Sequence, residues 1–280
     1  MTLLASSVVD NNSSQLARPD VVALFISDLH LQSEMPATTE VFLRFLSSAA
    51  RHAKQLYLLG DIFEYWAGDD DLESPFAQKI CHALREVSNA DVAVFWIAGN
   101  RDFLVGDVFA RATNITLLPD PYLFEHAGKR YLISHGDQFC TDDLAYQQFR
   151  TQVRKPEWQA AFLSKPLVER KAIIAGMRQQ SQQHQQKQMQ QSAMIMDVNP
   201  DAVIAQLNQH QADVLIHGHT HRPALHQYGQ KLRYVLSDWD RDSDQAKAWR
   251  GDWLALLEDG SLQRYDALGA PVAEKNALIS

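Results

Sequence analysis

Short apolar runs recur along this chain, and most stop at an aspartate, asparagine or histidine. VVALFIS (21–27) runs into Asp28-Leu29-His30 and QLYLLG (55–60) into Asp61. VAVFWIA (92–98) meets Gly99-Asn100-Arg101-Asp102, and RYLIS (130–134) meets His135-Gly136-Asp137. DVLIH (213–217) opens His217-Gly218-His219-Thr220-His221. Runs this short, rich in branched and aromatic residues, read as buried strands, and KLRYVLS (231–237) is another. Helical spacing lies between several of them, over Thr38–His52, Pro75–Ser88 and Pro200–Gln211, the last behind the N-capping Asn199. WLALLE (253–258), a DG turn and SLQRYD (261–266) form a hairpin pattern. Strands alternating with helices, then an all-strand end, predict an α/β sandwich built on two sheets.

The rhythm breaks once. Residues 142–197 hold no strand pattern, only helical ones. We therefore expect a core in two parts, 21–141 and 198–280, with a helical insertion at 142–197. Residues 1–20 are polar and lack a signal-peptide pattern, so they read as a disordered extension. No apolar run approaches the roughly 18 residues of a membrane span. Two cysteines, Cys81 and Cys140, give no disulfide framework. A cytoplasmic protein is the expectation. The net charge of −8 argues against nonspecific nucleic-acid binding. That charge is uneven, because residues 150–191 carry eight Lys/Arg against two acids. A basic segment on an acidic body suggests a local anionic partner, or simply a solvated face. The Gln-rich run at 179–191 reads equally as a polar helix surface or a linker.

Ligands gather outside the carboxyl ends of strands in open α/β sheets, and here five strand ends each present a metal-binding side chain. Each piece alone is an ordinary turn or surface histidine; the ordered set carries the weight. Asp28, His30, Asp61, Asn100, His135, His219 and His221 offer oxygen and imidazole nitrogen with no thiolate. That mix suits Mn²⁺, Fe²⁺ or Zn²⁺. Seven ligands are too many for one such ion, and a carboxylate bridging two ions resolves the count. His219 and His221, two apart on an extended chain, face one side. His217 reads as a strand-end or ligand-supporting histidine.

The order D-x-H, GD, GN, H, GHxH resembles the calcineurin-like metallophosphoesterases, with motifs spanning residues 28 to 221. The resemblance implies an αββα sandwich of two mixed sheets. It implies Asp28, His30, Asp61 and His221 on one metal and Asp61, Asn100, His135 and His219 on the other, with Asp61 as the bridge. One departure stands out. The wider family has a histidine after Gly-Asn, and this chain has Arg101. An arginine stays cationic and holds phosphate by forked hydrogen bonds, but it is a poor general acid. A phosphate leaving from a pyrophosphate fits that; a simple alkoxide does not.

GNRD occurs with GDIFEYWAGDD (60–70), SHGDQFCTDD (134–143), MDVN (196–199) and HGHTHRP (217–223). This combination resembles the branch of the family that works in lipid A biosynthesis. It implies Mn²⁺-dependent hydrolysis of UDP-2,3-diacylglucosamine at the α-phosphate, giving UMP and 2,3-diacylglucosamine 1-phosphate. The resemblance also implies Arg101 and Asp61 as catalytic residues. Substrate contacts map onto Asn100, Arg101, Asp143, Ser181 and His219, with Tyr146 and Lys187 as further candidates. It implies peripheral association with the cytoplasmic face of the inner membrane, and no obligate protein partner or nucleic acid is expected. Trp158, Phe162, Leu163, Leu167, Ile173, Ile174 and Met177 would line an acyl groove or pack the insertion's own core. Two other readings stand beside this one. The chain is a metallophosphoesterase for a soluble nucleotide pyrophosphate or phosphodiester, or a non-catalytic interaction module on the same fold. A module should lose metal ligands, and here all seven are present.

Overall fold

The computed structural model describes residues 21–191, 197–243, 249–274 and 276–278, with the backbone alone for 180–191 and 276–278. The expected extension at 1–20 lies outside the described residues. Thirteen strands are described: β1 Val21–Ile26, β2 Ala53–Leu58, β3 Ala93–Ile97, β4 Thr116–Leu118, β5 Tyr122–His126, β6 Lys129–Ser134, β7 Val214–His217, β8 Ala224–Tyr228, β9 Lys231–Val235, β10 Asp252–Leu257, β11 Leu262–Asp266, β12 Pro271–Val272 and β13 Asn276–Leu278. The helices are α1 Pro36–Ser47, α2 Pro75–Ser88, α3 Asp107–Thr113, α4 Leu144–Val153, α5 Pro156–Leu163, α6 Leu167–Gln191 and α7 Pro200–Gln209. One sheet runs β12-β11-β10-β1-β2-β3-β4 and the other β13-β8-β9-β7-β6-β5. Both are mixed. β1 pairs parallel with β2 and antiparallel with β10, and β6 pairs parallel with β7 and antiparallel with β5.

Alternate residues of β1 explain the layering. Ala23 and Phe25 point between the sheets, into a core shared with Tyr57, Tyr131, Ile133, Ile216 and Leu254. Phe25, Tyr57, Phe124 and Tyr131 stack there, with ring centroids 5.1–5.5 Å apart at successive contacts. Leu24 and Ile26 face the other way, into a cluster with Phe42 and Phe45 of α1 and Ile80 and Leu84 of α2. On the far face of the second sheet, Leu132 and Leu215 pack against Val203 and Leu207 of α7. A central strand buried on both sides must be apolar at every position, as the VVALFI run is. The result is the four-layer αββα sandwich. The part-exposed strands β4, β5, β8 and β12 escaped the sequence reading, because exposed positions break the apolar run, and so did β13 and the short α3.

Helix ends show local and distant control. Ser74 caps α2, its Oγ accepting from the Ala77 amide at 3.3 Å, and Asn199 caps α7. α1 has no such residue of its own. Asp242 accepts instead from the Ala37 and Thr38 amides at 2.9 and 2.8 Å.

Between β6 and α7 the described chain forms helices and loops without a strand, and the helices are tied down by charge. On α4, Arg150 donates to Asp137 at 2.8 Å, while Arg154 donates to the Gly99 carbonyl at 2.8 Å. On α6, Arg170 is buried and bonds Asp70 and the Ala67 carbonyl, Lys171 pairs with Asp71 at 2.7 Å, and Arg178 pairs with Glu64. Lys165 pairs with Glu169 inside the segment. Six of the eight bases are therefore engaged within the molecule. The apolar residues divide. Phe162 is buried in the core beside α1 and α2, with Trp158, Ile173 and Ile174 packed against it, while Leu163 is partly exposed.

Phe25→Ala should cost about 3–5 kcal/mol in urea unfolding, because it empties the inter-sheet core. Val168→Ala on exposed α6 should stay within about 0.5 kcal/mol.

Candidate metal centre

β1, β2 and β3 run parallel to one another, as do β6 and β7, and their carboxyl ends meet at one edge of the sandwich. Glycines let them meet so closely. A Cβ on Gly60 would lie 2.5 Å from the Gly99 Cα, and one on Gly99 would lie 2.2 Å from Asp61 Oδ1. A Cβ on Gly218 would sit 2.2 Å from Asp28 Oδ2. The glycines in GD, GN and HGH are spacers of zero width. Backbone bonds then stitch the loops together, with the Asp28 amide donating to the Gly60 carbonyl at 3.0 Å and the His30 amide to Asp61 at 2.9 Å.

Five of the seven expected ligands have left-handed backbone: Asp28 (φ 56°), His30 (50°), Asp61 (54°), His219 (69°) and His221 (54°). Non-glycine residues there cost about 1–3 kcal/mol each and persist only where the surroundings enforce them. The concentration of strain at one edge marks the place where the fold aims side chains rather than relaxes.

All seven side chains come together. Asp61 stands in the middle. Its Oδ1 accepts from the Arg101 amide at 2.8 Å, while its Oδ2 lies 3.8 Å from His135 Nε2 and 4.0 Å from His30 Nε2. On one side, His30 Nε2 and His221 Nε2 face each other at 3.3 Å, with Asp28 Oδ1 3.4 Å from His221 Nε2. On the other, Asn100 Oδ1 lies 2.9 Å from both His135 Nε2 and His219 Nδ1. Asp28 Oδ2 is held by Ser27 Oγ at 2.6 Å and the His219 amide at 2.8 Å, yet its fully buried Oδ1 has no regular hydrogen bond. Imidazole nitrogens turned toward one another around an orphaned carboxylate oxygen fit a divalent cation. Asp28, His30 and His221 form one grouping able to hold an ion, and Asp28, Asp61 and His135 another.

Charge at the site agrees. Burial alone would raise the Asp28 carboxyl, but His221, His135 and His30 outweigh it and hold it below the carboxylate range. Burial opposes protonation of His135, yet Asp61, Asp28 and Asp137 push its pKa up to about 9. Burial and the His135 charge push His219 down to about 4. Buried carboxylates thus draw positive charge into the cluster.

Arg101 is half-buried beside Asp61, and its guanidinium makes no hydrogen bond or ion pair among the described residues. Against burial, and with His30, its charge helps hold the Glu64 carboxyl low, and its hydrogen-bond donors are left to receive an anion. Other expected contacts are already in use. The Tyr146 ring stacks on His219 with centroids 5.9 Å apart, and its hydroxyl donates to Asp137 at 2.6 Å. Asp143 caps α4 through the Tyr146 amide at 2.9 Å. The side chains of Ser181 and Lys187 lie outside the described residues. His217 is buried at the end of β7, its Nδ1 2.8 Å from the Gly218 carbonyl oxygen and its ring against Phe139. That matches a strand-end role.

Two carboxylates behind the histidines escaped the sequence reading. Glu64 Oε2 lies 2.9 Å from His30 Nδ1, off the ring axis, and Asp238 Oδ2 lies 3.6 Å from His221 Nδ1. Asp238 was within reach. It follows the run 231–237, so the strand-end rule applied to that run would have found it. Glu64 carries no such signal, being the third residue past Asp61 in a loop.

The calcineurin-like phosphoesterase family model matches residues 22–223, and the chain belongs to that family. Among its curated relatives, UDP-2,3-diacylglucosamine hydrolase of Aromatoleum aromaticum is 44% identical over 255 residues, covering 90% of this chain and 96% of that protein. UDP-2,3-diacylglucosamine hydrolase of Escherichia coli strain K12 is 47% identical over 236 residues, covering 83% and 97%.

Gly99→Ala should displace the Asp61 carboxylate. We expect a loss of about 1–3 kcal/mol in urea unfolding and weakened Mn²⁺ uptake by the purified chain. Gly176→Ala, in open space on α6, should instead be neutral or add about 0.5–1 kcal/mol.

Proposed function

We propose that the chain hydrolyses UDP-2,3-diacylglucosamine at the α-phosphate, with two divalent metal ions, Mn²⁺ in the cell. The reading is carried by one observation: relatives of that activity match nearly their whole length here, at 44–47% identity. The donor geometry and Arg101 supply the chemistry. Asp28, His30, Asp61 and His221 would hold one ion, and Asp61, Asn100, His135 and His219 the other. When bound, such a pair activates a water and offsets charge on the phosphoryl oxygens. Water adds to the α-phosphorus and the bond to the bridging oxygen breaks. UMP leaves with the new oxygen, and 2,3-diacylglucosamine 1-phosphate leaves with the bridging one.

Each side chain has a task in that reaction. Asp61 uses Oδ1 to fix the Arg101 backbone and keeps Oδ2 for the ions, so a single carboxylate sets the distance between Arg101 and the centre. Arg101 binds the pyrophosphate and offsets charge building on the departing phosphate. A phosphate leaving group needs no proton from the enzyme, which is why an arginine can stand where the wider family has a histidine.

Among the described residues no helix is long and apolar enough to cross a membrane. The proposed association with the inner membrane is peripheral. It is supported by the acylated substrate and by Leu144, Phe149, Leu163 and Val168, exposed on α4 to α6. The engaged bases of that segment support it less. A cleft of about 180 Å³ opens among the chain neighbours of His30 and Glu64, but its lining is mixed, with Phe63, Tyr65 and Phe76 beside Glu34, Asp71 and Lys171, and it favours an apolar chain no more than a polar one. The inward packing of Phe162 and its neighbours keeps a second reading alive, a soluble UDP-sugar as substrate.

Release of UMP from UDP-2,3-diacylglucosamine in detergent micelles, with and without Mn²⁺, separates the two. Metal-dependent release from the acylated substrate alone is expected; equal release from UDP-sugars without acyl chains would favour the soluble reading. Arg101→Ala should lower turnover by about 10²-fold or more while metal content by elemental analysis stays unchanged.

A further inference from the structure

The two histidines facing each other at 3.3 Å each have a carboxylate behind the ring, and each carboxylate is shared with an arginine from elsewhere in the chain. Asp238 stands behind His221 and binds Arg250 at 2.8 Å, within the end of the core. Glu64 stands behind His30 and binds Arg178 of α6. Arg178 also lies over the Tyr65 ring, 5.6 Å from its centroid. The other two histidines lack this arrangement, since His135 Nδ1 lies 2.9 Å from the Leu59 carbonyl oxygen and His219 Nδ1 from Asn100 Oδ1.

We infer that Glu64 is a positioning residue: one carboxylate holds the His30 ring and latches α6, so the helical segment and one half of the metal centre assemble together. The inference rests on the metal-binding reading above. Glu64 Oε2 meets His30 Nδ1 at 2.9 Å but off the ring axis, by charge rather than a regular hydrogen bond, and a carboxylate there favours the proton on Nδ1 and leaves the Nε2 lone pair bare for a metal. Glu64 has two oxygens and uses both, Oε2 toward His30 and Oε1 toward Arg178. Arg178 thereby fixes the rotamer that Glu64 must adopt to reach His30. The remaining ties of α6, through Arg170 and Lys171, go to Asp70 and Asp71, residues without a metal-centre partner. Of the described α6 ion pairs to the core, only the Arg178 pair ends on a residue touching the centre.

The test reads metal rather than turnover. The full chain, stripped by chelator, is titrated with Mn²⁺, and free ion is followed by electron paramagnetic resonance. Wild type should take up two ions. Glu64→Ala should weaken one of the two by about 10–100-fold and leave the other unchanged. Glu64→Gln, which keeps an acceptor but loses the charge, should fall between and guards against misfolding of the alanine variant. Arg178→Ala should weaken the same ion, less severely, and Arg178→Lys should restore part of the loss. Lys171→Ala, which also loosens α6, should leave both ions at wild-type affinity. Wild-type affinity for both ions in Glu64→Gln and Arg178→Ala would overturn the positioning role. Equal weakening by Lys171→Ala would reduce it to general loosening of α6. No uptake by wild type would overturn the metal centre itself.

Discussion

The structure turns on the placement of one carboxylate. Asp61 sits in left-handed backbone at the end of a central strand, pressed against Gly99, with one oxygen spent on the Arg101 amide and the other on the histidines. Side chains from both sheets reach it. The two sheets are therefore held in register at this edge by the site as well as by the apolar core between them. Any residue larger than glycine at 99 would push Asp61 away from that meeting point. Strain here is tolerable because a close-packed core of buried strands surrounds it and over-determines the strand ends.

Charge organises the remainder. The sequence divides into a basic segment and an acidic body, and the fold closes one upon the other. Arg150, Arg154, Arg170, Lys171 and Arg178 reach Asp137, Asp70, Asp71, Glu64 and the carbonyls of the ligand loop. The helices thus lie over the candidate metal edge, with α4 and α6 ion-paired or hydrogen-bonded to loops that carry or neighbour the candidate ligands. Little of that positive charge is left for a lipid surface, while Arg101, outside the segment, makes no side-chain hydrogen bond or ion pair among the described residues.

The strand-end pattern made the site legible early. Each of the seven expected ligands sits where a strand gives out, and all seven converge. What supports them was harder to read. Glu64 and Asp238 act through contacts between residues 34 and 17 apart in sequence, and Asp242 caps a helix about two hundred residues away. Such pairs have no periodicity, so nothing local announces them. The part-exposed strands were missed for a related reason: a half-exposed strand alternates with polar residues over too few positions to stand out.

By itself the sequence determined the sandwich, because strands buried on both faces must be continuously apolar, and the metal chemistry, because oxygen and imidazole donors ended those strands in a recognisable order. It left open which bases of the helical segment pair with the body and which stay solvated. Only the tertiary structure decided that. A surface lysine or arginine looks alike in sequence whether solvated or paired, and the difference depends on which distant carboxylate the fold brings within about 3 Å of it.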